Sequence, residues 1–126
     1  MPTDSIDSDR LEAELAADAD VIRALRAQGD KPNIVRAVDV RFTGMPAHIQ
    51  VLRDNAAMRG WTVIQGVELD GDRLALDVQR EQMTDDASLR QLTLDALSIE
   101  MDFNVEYDGW GTLPQVAPEK KGWFRR

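Results

Sequence analysis

The sequence predicts one α+β domain, a ferredoxin-like βαββαβ sandwich with an additional N-terminal helix. Three observations predict it. Apolar and polar residues alternate in four short runs, at 34–42, 61–69, 73–81 and 103–108. Apolar residues recur at helical spacing in three other segments, and the segments follow one another as helix, strand, helix, strand, strand, helix, strand. The length, 126 residues with 43% apolar, suits one domain with one modest core. The expected boundaries are a disordered N-terminus at 1–9, a single domain at 10–112 that includes the leading helix, and a basic tail at 113–126.

Residues 1–9 are polar and acidic and offer little to bury. From Asp9 a helix is predicted, with Leu11, Leu15, Ile22 and Leu25 recurring at roughly helical spacing. Asp9 is positioned to cap it, with Glu12 three residues later completing a capping box. Acids come early and Arg23 and Arg26 late, the order the helix dipole favours. Gly29 and Pro32 end it. "IVRAVDVRF" (34–42) places Val38, Val40 and Phe42 on one face, and Asp39 and Arg41 on the other. "GMPAHIQVLRDNAAMRG" reads as a helix entered through Gly44 and Pro46 and closed by Gly60, with Met45, Ile49, Leu52 and Ala56 as its apolar stripe. "WTVIQGVEL" (61–69) is a strand with Gly66 as a bulge or kink, and "DGD" (70–72) is a hairpin turn. The returning strand, 73–81, carries Leu74, Leu76 and Val78 on one face. Thr84-Asp85-Asp86 opens a helix with Leu89, Leu92, Ala96 and Ile99 at helical spacing. "FNVEYD" (103–108) is the last strand, with Phe103, Val105 and Tyr107 on its inner face. In such a sandwich the first and third strands are central, and the leading helix has two places to bury its leucines: the uncovered sheet face or an edge.

Net charge is −8, unevenly distributed. Residues 1–112 hold 22 acids against 11 basic side chains, and residues 113–126 hold one acid and four bases. An acidic body repels phosphate backbones and attracts basic protein surfaces. It also serves solubility alone. The absence of cysteine excludes disulfides, thiolate metal sites and a cysteine nucleophile. A single histidine, His48, excludes sites built on several histidines, and the sequence shows no partner that would make it a general base. Asp85 and Asp86 stand where a helix start favours carboxylates, so capping accounts for them. "DGD" is too short to supply the ligands calcium needs. No glycine-rich phosphate loop is present. The outward residues of the central strands, Asp39, Arg41, Ala75, Asp77 and Gln79, include no aromatic platform for stacking bases, which argues against direct RNA binding. No apolar run is long enough to cross a membrane and no signal-peptide pattern opens the chain, so a cytoplasmic, non-membrane protein is expected. No catalytic residue, cofactor or metal is expected.

"VEYDGWGT" (105–112) holds the remaining signal. Gly109 and Gly111 read as structural turn glycines, with Gly109 supplying the positive φ of a tight turn. In one reading Trp110 then folds back over the end of the sandwich and Tyr107 packs inside, making a buried corner. In the other, Glu106, Tyr107, Asp108 and Trp110 form a partner-binding surface, an aromatic among carboxylates suited to an arginine-rich peptide.

"NVEYDGWGT" (104–112) closely resembles the end of the RraB family of ribonuclease E inhibitors, regulators of bacterial RNA turnover. The similarity extends at the level of pattern over residues 30–112. It includes an acidic leading helix and the Gly60-Trp61 start of the second strand. The resemblance implies the same ferredoxin-like fold and a non-enzymatic protein that binds ribonuclease E through the nuclease's C-terminal scaffold region, altering transcript decay. It carries the motif onto Glu106, Tyr107, Asp108, Gly109, Trp110 and Gly111. The chain departs from the family at its end. The best-known members finish in a strongly acidic tail, whereas this one reads "EKKGWFRR".

The expected function is therefore a protein-binding regulator whose partner is ribonuclease E or another RNA-decay component. The alternative is a small-molecule-sensing domain of the same fold, for which a pocket between helix and sheet edge would speak. The tail at 113–126 is expected to be an extended arm, at most loosely docked, because exposed ion pairs are each worth roughly 0–1 kcal/mol.

Overall fold

The leading helix, α1, spans Ser8–Ala27 in the computed structural model, which describes residues 6–116. The capping residue is Asp7, not Asp9: its extended backbone lets the carboxylate accept from the Asp9 amide. Order thus begins before the predicted boundary at residue 10, and Ile6 already packs against the core. The part of the predicted disordered segment before Ile6 lies outside the described residues.

The remaining elements follow the predicted order: β1 (Arg36–Gly44), α2 (Pro46–Asn55), β2 (Thr62–Glu68), β3 (Leu74–Gln82), α3 (Asp86–Phe103) and β4 (Glu106–Gly111). A short 3-10 turn, Ala57–Arg59, closes α2, and Gly60 ends it at φ 89°. Met45, placed by the sequence in the apolar stripe of α2, instead sits at the N-cap and is exposed, whereas Ile49, Leu52 and Ala56 are buried. Asp85 caps α3 by accepting from the Ser88 amide, as its position in the sequence predicts.

The four strands form one antiparallel sheet in the order β2-β3-β1-β4, with β1 and β3 central. Its inner face carries Val38, Val40, Phe42, Leu76, Val78 and Tyr107, all buried and packed against Ile49 and Leu52 of α2 and Leu92, Ala96 and Ile99 of α3. Burying side chains of this size stabilises by about 1.5–3 kcal/mol each. Sheet and helices of the described residues thus share one continuous core cluster.

The last strand corrects the sequence reading. Phe103 belongs to α3, which stops at Asn104 in the left-handed conformation (φ 56°). The strand then begins at Glu106 and continues through the segment predicted to turn. Gly109 and Gly111 are strand residues.

Helix α1 packs on α3 and reaches the outer edge of β4, so it takes the edge position and leaves the sheet's polar face open. The Glu100 carboxylate accepts from the Tyr107 amide (2.8 Å) and from Arg10 (2.8 Å), and Arg10 also donates to the Tyr107 carbonyl (3.2 Å). Side chains thereby occupy backbone groups that an edge strand would otherwise present to a foreign strand.

A candidate protein-binding surface on the open sheet face

Strand β4 pairs with β1 as Val40 with Trp110 and Phe42 with Tyr107, a register shift that leaves Asp108 and Gly109 together opposite Arg41. This is a β-bulge, and Gly109 takes φ +103° within it. Without a bulge, strand alternation would send Tyr107 and Trp110 to opposite faces. With it, both lie on the helix side. Tyr107 is buried with its ring 6.0 Å from that of Phe42. Trp110 is half-buried against the core, and its indole N–H donates to the Asp18 carboxylate of α1 at 2.8 Å.

Asp18 is a buried carboxylate on the inward side of α1, and its second oxygen accepts from the Thr93 hydroxyl of α3. The Tyr107 hydroxyl has no hydrogen-bond partner among the described residues. Burial, reinforced by the negative charge of Asp18, pushes its pKa well above the ordinary tyrosine value. Asp18, Thr93, Tyr107 and Trp110 thus form a polar seam inside the helix layer. The sequence offered no signal for Asp18, one acid among many on an acidic helix.

The predicted cluster of Glu106, Tyr107, Asp108 and Trp110 is therefore divided. Only Glu106 and Asp108 reach the open face and solvent, and the two aromatic side chains face the other way. Glu106 is half of an ion pair with Arg73 (2.8 Å). Asp108 makes no ion pair among the described residues, although its charge helps raise the pKa of Arg41.

Around Asp108 the open face forms a trough of about 460 Å³, lined by Asp39, Arg41, Ile64, Gln65, Asp77 and the Asp108–Gly111 segment. Arg41 is clamped by Asp77 through two hydrogen bonds, 2.7 and 3.0 Å, which hold the Asp77 carboxyl below its usual range. Asp39 accepts from Gln79 (2.8 Å) and makes no ion pair among the described residues. The trough therefore presents two exposed carboxylates, Asp39 and Asp108, that make no ion pair among the described residues. Nothing lies within 4 Å of where a Cβ on Gly109 or Gly111 would stand, their chain neighbours aside, so the trough is open above the backbone at these two glycines.

A second depression adjoins it, sharing Asp39, Gln79 and Gly111, and includes Thr112, Leu113 and Gln115. Here the tail expectation needs correction over residues 113–116. The Gln115 amide donates to Asp30 (2.7 Å), and the Gln115 carbonyl accepts from the Lys31 amide (2.7 Å). Asp30 has a fully buried side chain and also accepts from Arg36 (2.8 Å), Arg26 (3.1 Å) and the Thr84 hydroxyl (2.7 Å). Burial alone would push the Asp30 carboxyl up, but the donors from Gln115, Thr84 and Arg36 outweigh it and hold it below its usual value. Residues 113–116 are thus tied to Asp30 and Lys31 through Gln115, and the tail beyond Val116 lies outside the described residues.

Among the described residues, no group of three His, Asp or Glu side chains is placed to hold a metal ion, and no helix is long and apolar enough to cross a membrane. No curated protein matches the chain. Residues 15–112 match the family described as regulator of ribonuclease activity B, a span that takes in most of α1, the whole sheet and the bulged "EYDGWG" strand. The chain belongs to the RraB family, regulators of ribonuclease activity.

Proposed function

We propose that this protein is a non-enzymatic regulator that binds ribonuclease E, or another component of RNA decay, through the open face of a ferredoxin-like sandwich. The strand order and the βαββαβ succession support that description of the fold. The observation that carries the functional reading is the pair of exposed carboxylates, Asp39 and Asp108, that make no ion pair among the described residues, beside open space at two glycines, in a chain of a ribonuclease-regulator family. Unpaired exposed charge attracts a basic segment, and the open space at Gly109 and Gly111 leaves room for one to lie close to the backbone. Glu106 contributes less, because Arg73 already engages it. Tyr107 and Trp110 act by holding the bulge that points Asp108 outward. The same face carries no aromatic side chain on β1 or β3 and repels phosphate, so the partner is protein rather than RNA. Such a regulator works in the cytoplasm, without cofactor.

Titration of ribonuclease E against the wild type, Asp108→Lys and Glu106→Lys tests this. Asp108→Lys is expected to weaken binding about tenfold or more at unchanged stability, Glu106→Lys to weaken it less, and added salt to weaken the wild-type complex. Salt-insensitive binding that ignores Asp108 would remove the electrostatic mechanism.

A groove of about 540 Å³ between α1 and α3 favours a second reading, a small-molecule sensor. Leu15, Ala19, Ile22 and Leu89 line it together with Arg23, Arg26, Arg90, Asp18 and Asp86, a mixed apolar and charged lining that suits an amphipathic ligand. A thermal-shift series with fatty acids of increasing length tests it, and no shift at any length would exclude that ligand class.

A further inference from the structure

We infer that the protein self-associates through β2, whose free edge pairs antiparallel with β2 of a second copy about a twofold axis at Val67. The pairing does not depend on what the trough binds.

The two edges of the sheet differ. On β4, Arg10 and Glu100 hold the carbonyl and the amide of Tyr107. On β2, the other edge, no side chain among the described residues bonds to the backbone. The register of β2 against β3 shifts between Val63 and Gln65, then runs unbroken from Gln65 to Glu68. The Leu69 amide donates to the Arg73 carbonyl (3.0 Å) and continues the ladder by one residue. Along an antiparallel strand, residues alternate between exchanging bonds with the neighbour and turning their backbone groups away from it. Leu69, Val67 and Gln65 therefore bond to β3, while Gly66 and Glu68 turn N–H and C=O to the free side. Centred on Val67, a second β2 sets Gly66 opposite the copy's Glu68 and Glu68 opposite the copy's Gly66. Both pairs then exchange backbone hydrogen bonds, and the contact uses the whole regular stretch, residues 65–69.

Charge selects this register. Gly66 and Glu68 pair with Leu76 and Leu74, so they lie on the helix side of the sheet. The Arg53 guanidinium of α2 lies over Gly66, 3.3 Å from where a Cβ would stand. Arg53 and Glu68 are both exposed, and neither makes an ion pair among the described residues. Directly opposite side chains on paired strands start about 5 Å apart, so the copy's Glu68 reaches Arg53, and symmetry repeats the pair. Centring on Gly66 would set Arg53 against Arg53, and centring on Glu68 would set that carboxylate against itself. On the open face Val67 meets Val67, a β-branched pair suited to a strand. The twofold axis stands perpendicular to the joined sheet, so both troughs open on one side. Bivalent capture of a partner with repeated basic segments would follow, and that consequence alone rests on the proposed function.

One short strand pair makes an interface below the standard size of about 1,600 Å², so a weak dimer is expected, tested by sedimentation of the full chain from about 10 µM to about 1 mM. Arg53→Glu and Glu68→Arg each place like charges opposite, twice per dimer, and should each weaken association about tenfold or more. Arg53→Glu/Glu68→Arg in one chain should restore it, and an equimolar mixture of the two single variants should form a mixed dimer. Glu68→Pro removes an N–H that β3 does not use, and should abolish association with the circular dichroism unchanged. A monomer throughout the concentration range overturns the inference. So does a dimer indifferent to the single reversals or to Glu68→Pro, or a double variant as weak as either single one. Ribonuclease E takes no part in these measurements, so failure of the proposed function leaves their outcome unaffected.

Discussion

The Trp110 indole nitrogen and the Asp18 carboxylate, 92 residues apart in sequence, meet at 2.8 Å and join the last strand to the first helix. The contact exists only because the bulge at Asp108 and Gly109 turns Trp110 to the helix side. Phenylalanine keeps most of the buried area at this position but leaves a buried carboxylate one donor short. Trp110→Phe should therefore cost about 1–3 kcal/mol. Urea denaturation at neutral pH measures it, and affinity for ribonuclease E per folded molecule should stay unchanged. A variant as stable as wild type would show that the hydrogen bond adds nothing beyond ring packing.

Gly109 and Gly111 have different tasks, although they flank the same tryptophan. Gly109 adopts φ +103°, where a side chain strains the backbone, and Gly111 has no such constraint. Gly109→Ala should cost about 1–2 kcal/mol through the backbone alone. Gly111→Ala should alter stability by less than about 0.5 kcal/mol, as changes away from special features do. It should nevertheless weaken partner binding, because its methyl group projects into the trough. Paired denaturation and binding curves separate the two. Equal stability losses would mean that the bulge does not depend on Gly109.

How much of this was legible in the sequence varies by element. The order of helices and strands could be read because period-2 and helical spacings are set by backbone geometry, and Asp85 announced its cap. The bulge could not be read. Asp-Gly before a bulky residue signals positive φ, and a turn and a bulge both use it. Only pairing with β1 decides between them, and that decision sends Trp110 inward and Asp108 outward. Asn104 was a legible left-handed stop for α3 that the alternation of Phe103, Val105 and Tyr107 concealed. Asp18 and Asp30 left no trace, because a buried acid differs from an exposed one only in its distant partners, Thr93 and Trp110 for the first and Gln115 among others for the second.

Gln115 divides the predicted tail into two parts with different consequences. Deleting residues 117–126 should leave the melting temperature nearly unchanged, since exposed ion pairs are each worth roughly 0–1 kcal/mol. Deleting residues 113–126 removes the amide donor to Asp30 and the carbonyl acceptor of the Lys31 amide. Hydrogen bonds to charged groups are worth about 1.5–3 kcal/mol, so stability should fall by at least that much. Calorimetry of the two truncations makes the comparison. Indistinguishable melting temperatures would show that residues 113–116 contribute nothing to the domain.

The same anchor sets the expected response to acid. Burial favours a protonated Asp30, yet the donors from Gln115, Thr84 and Arg36 hold its carboxyl below the usual aspartate value in the folded state. The unfolded chain releases it to about 3.9. A folded pKa below the unfolded one means that the unfolded state binds more protons in the window between them. The stability Asp30 contributes is therefore complete above about pH 4 and is lost as pH falls through the folded-state pKa. Asp77 and Asp85, also lowered, add to the same window. Asp30→Asn removes the titrating group, so its stability should start lower at pH 7 and then fall less steeply than wild type below pH 4. Denaturant midpoints between pH 7 and pH 2 for both proteins supply the two slopes. Parallel curves across the acid limb would mean that Asp30 carries no shifted pKa, leaving the network as packing rather than charge.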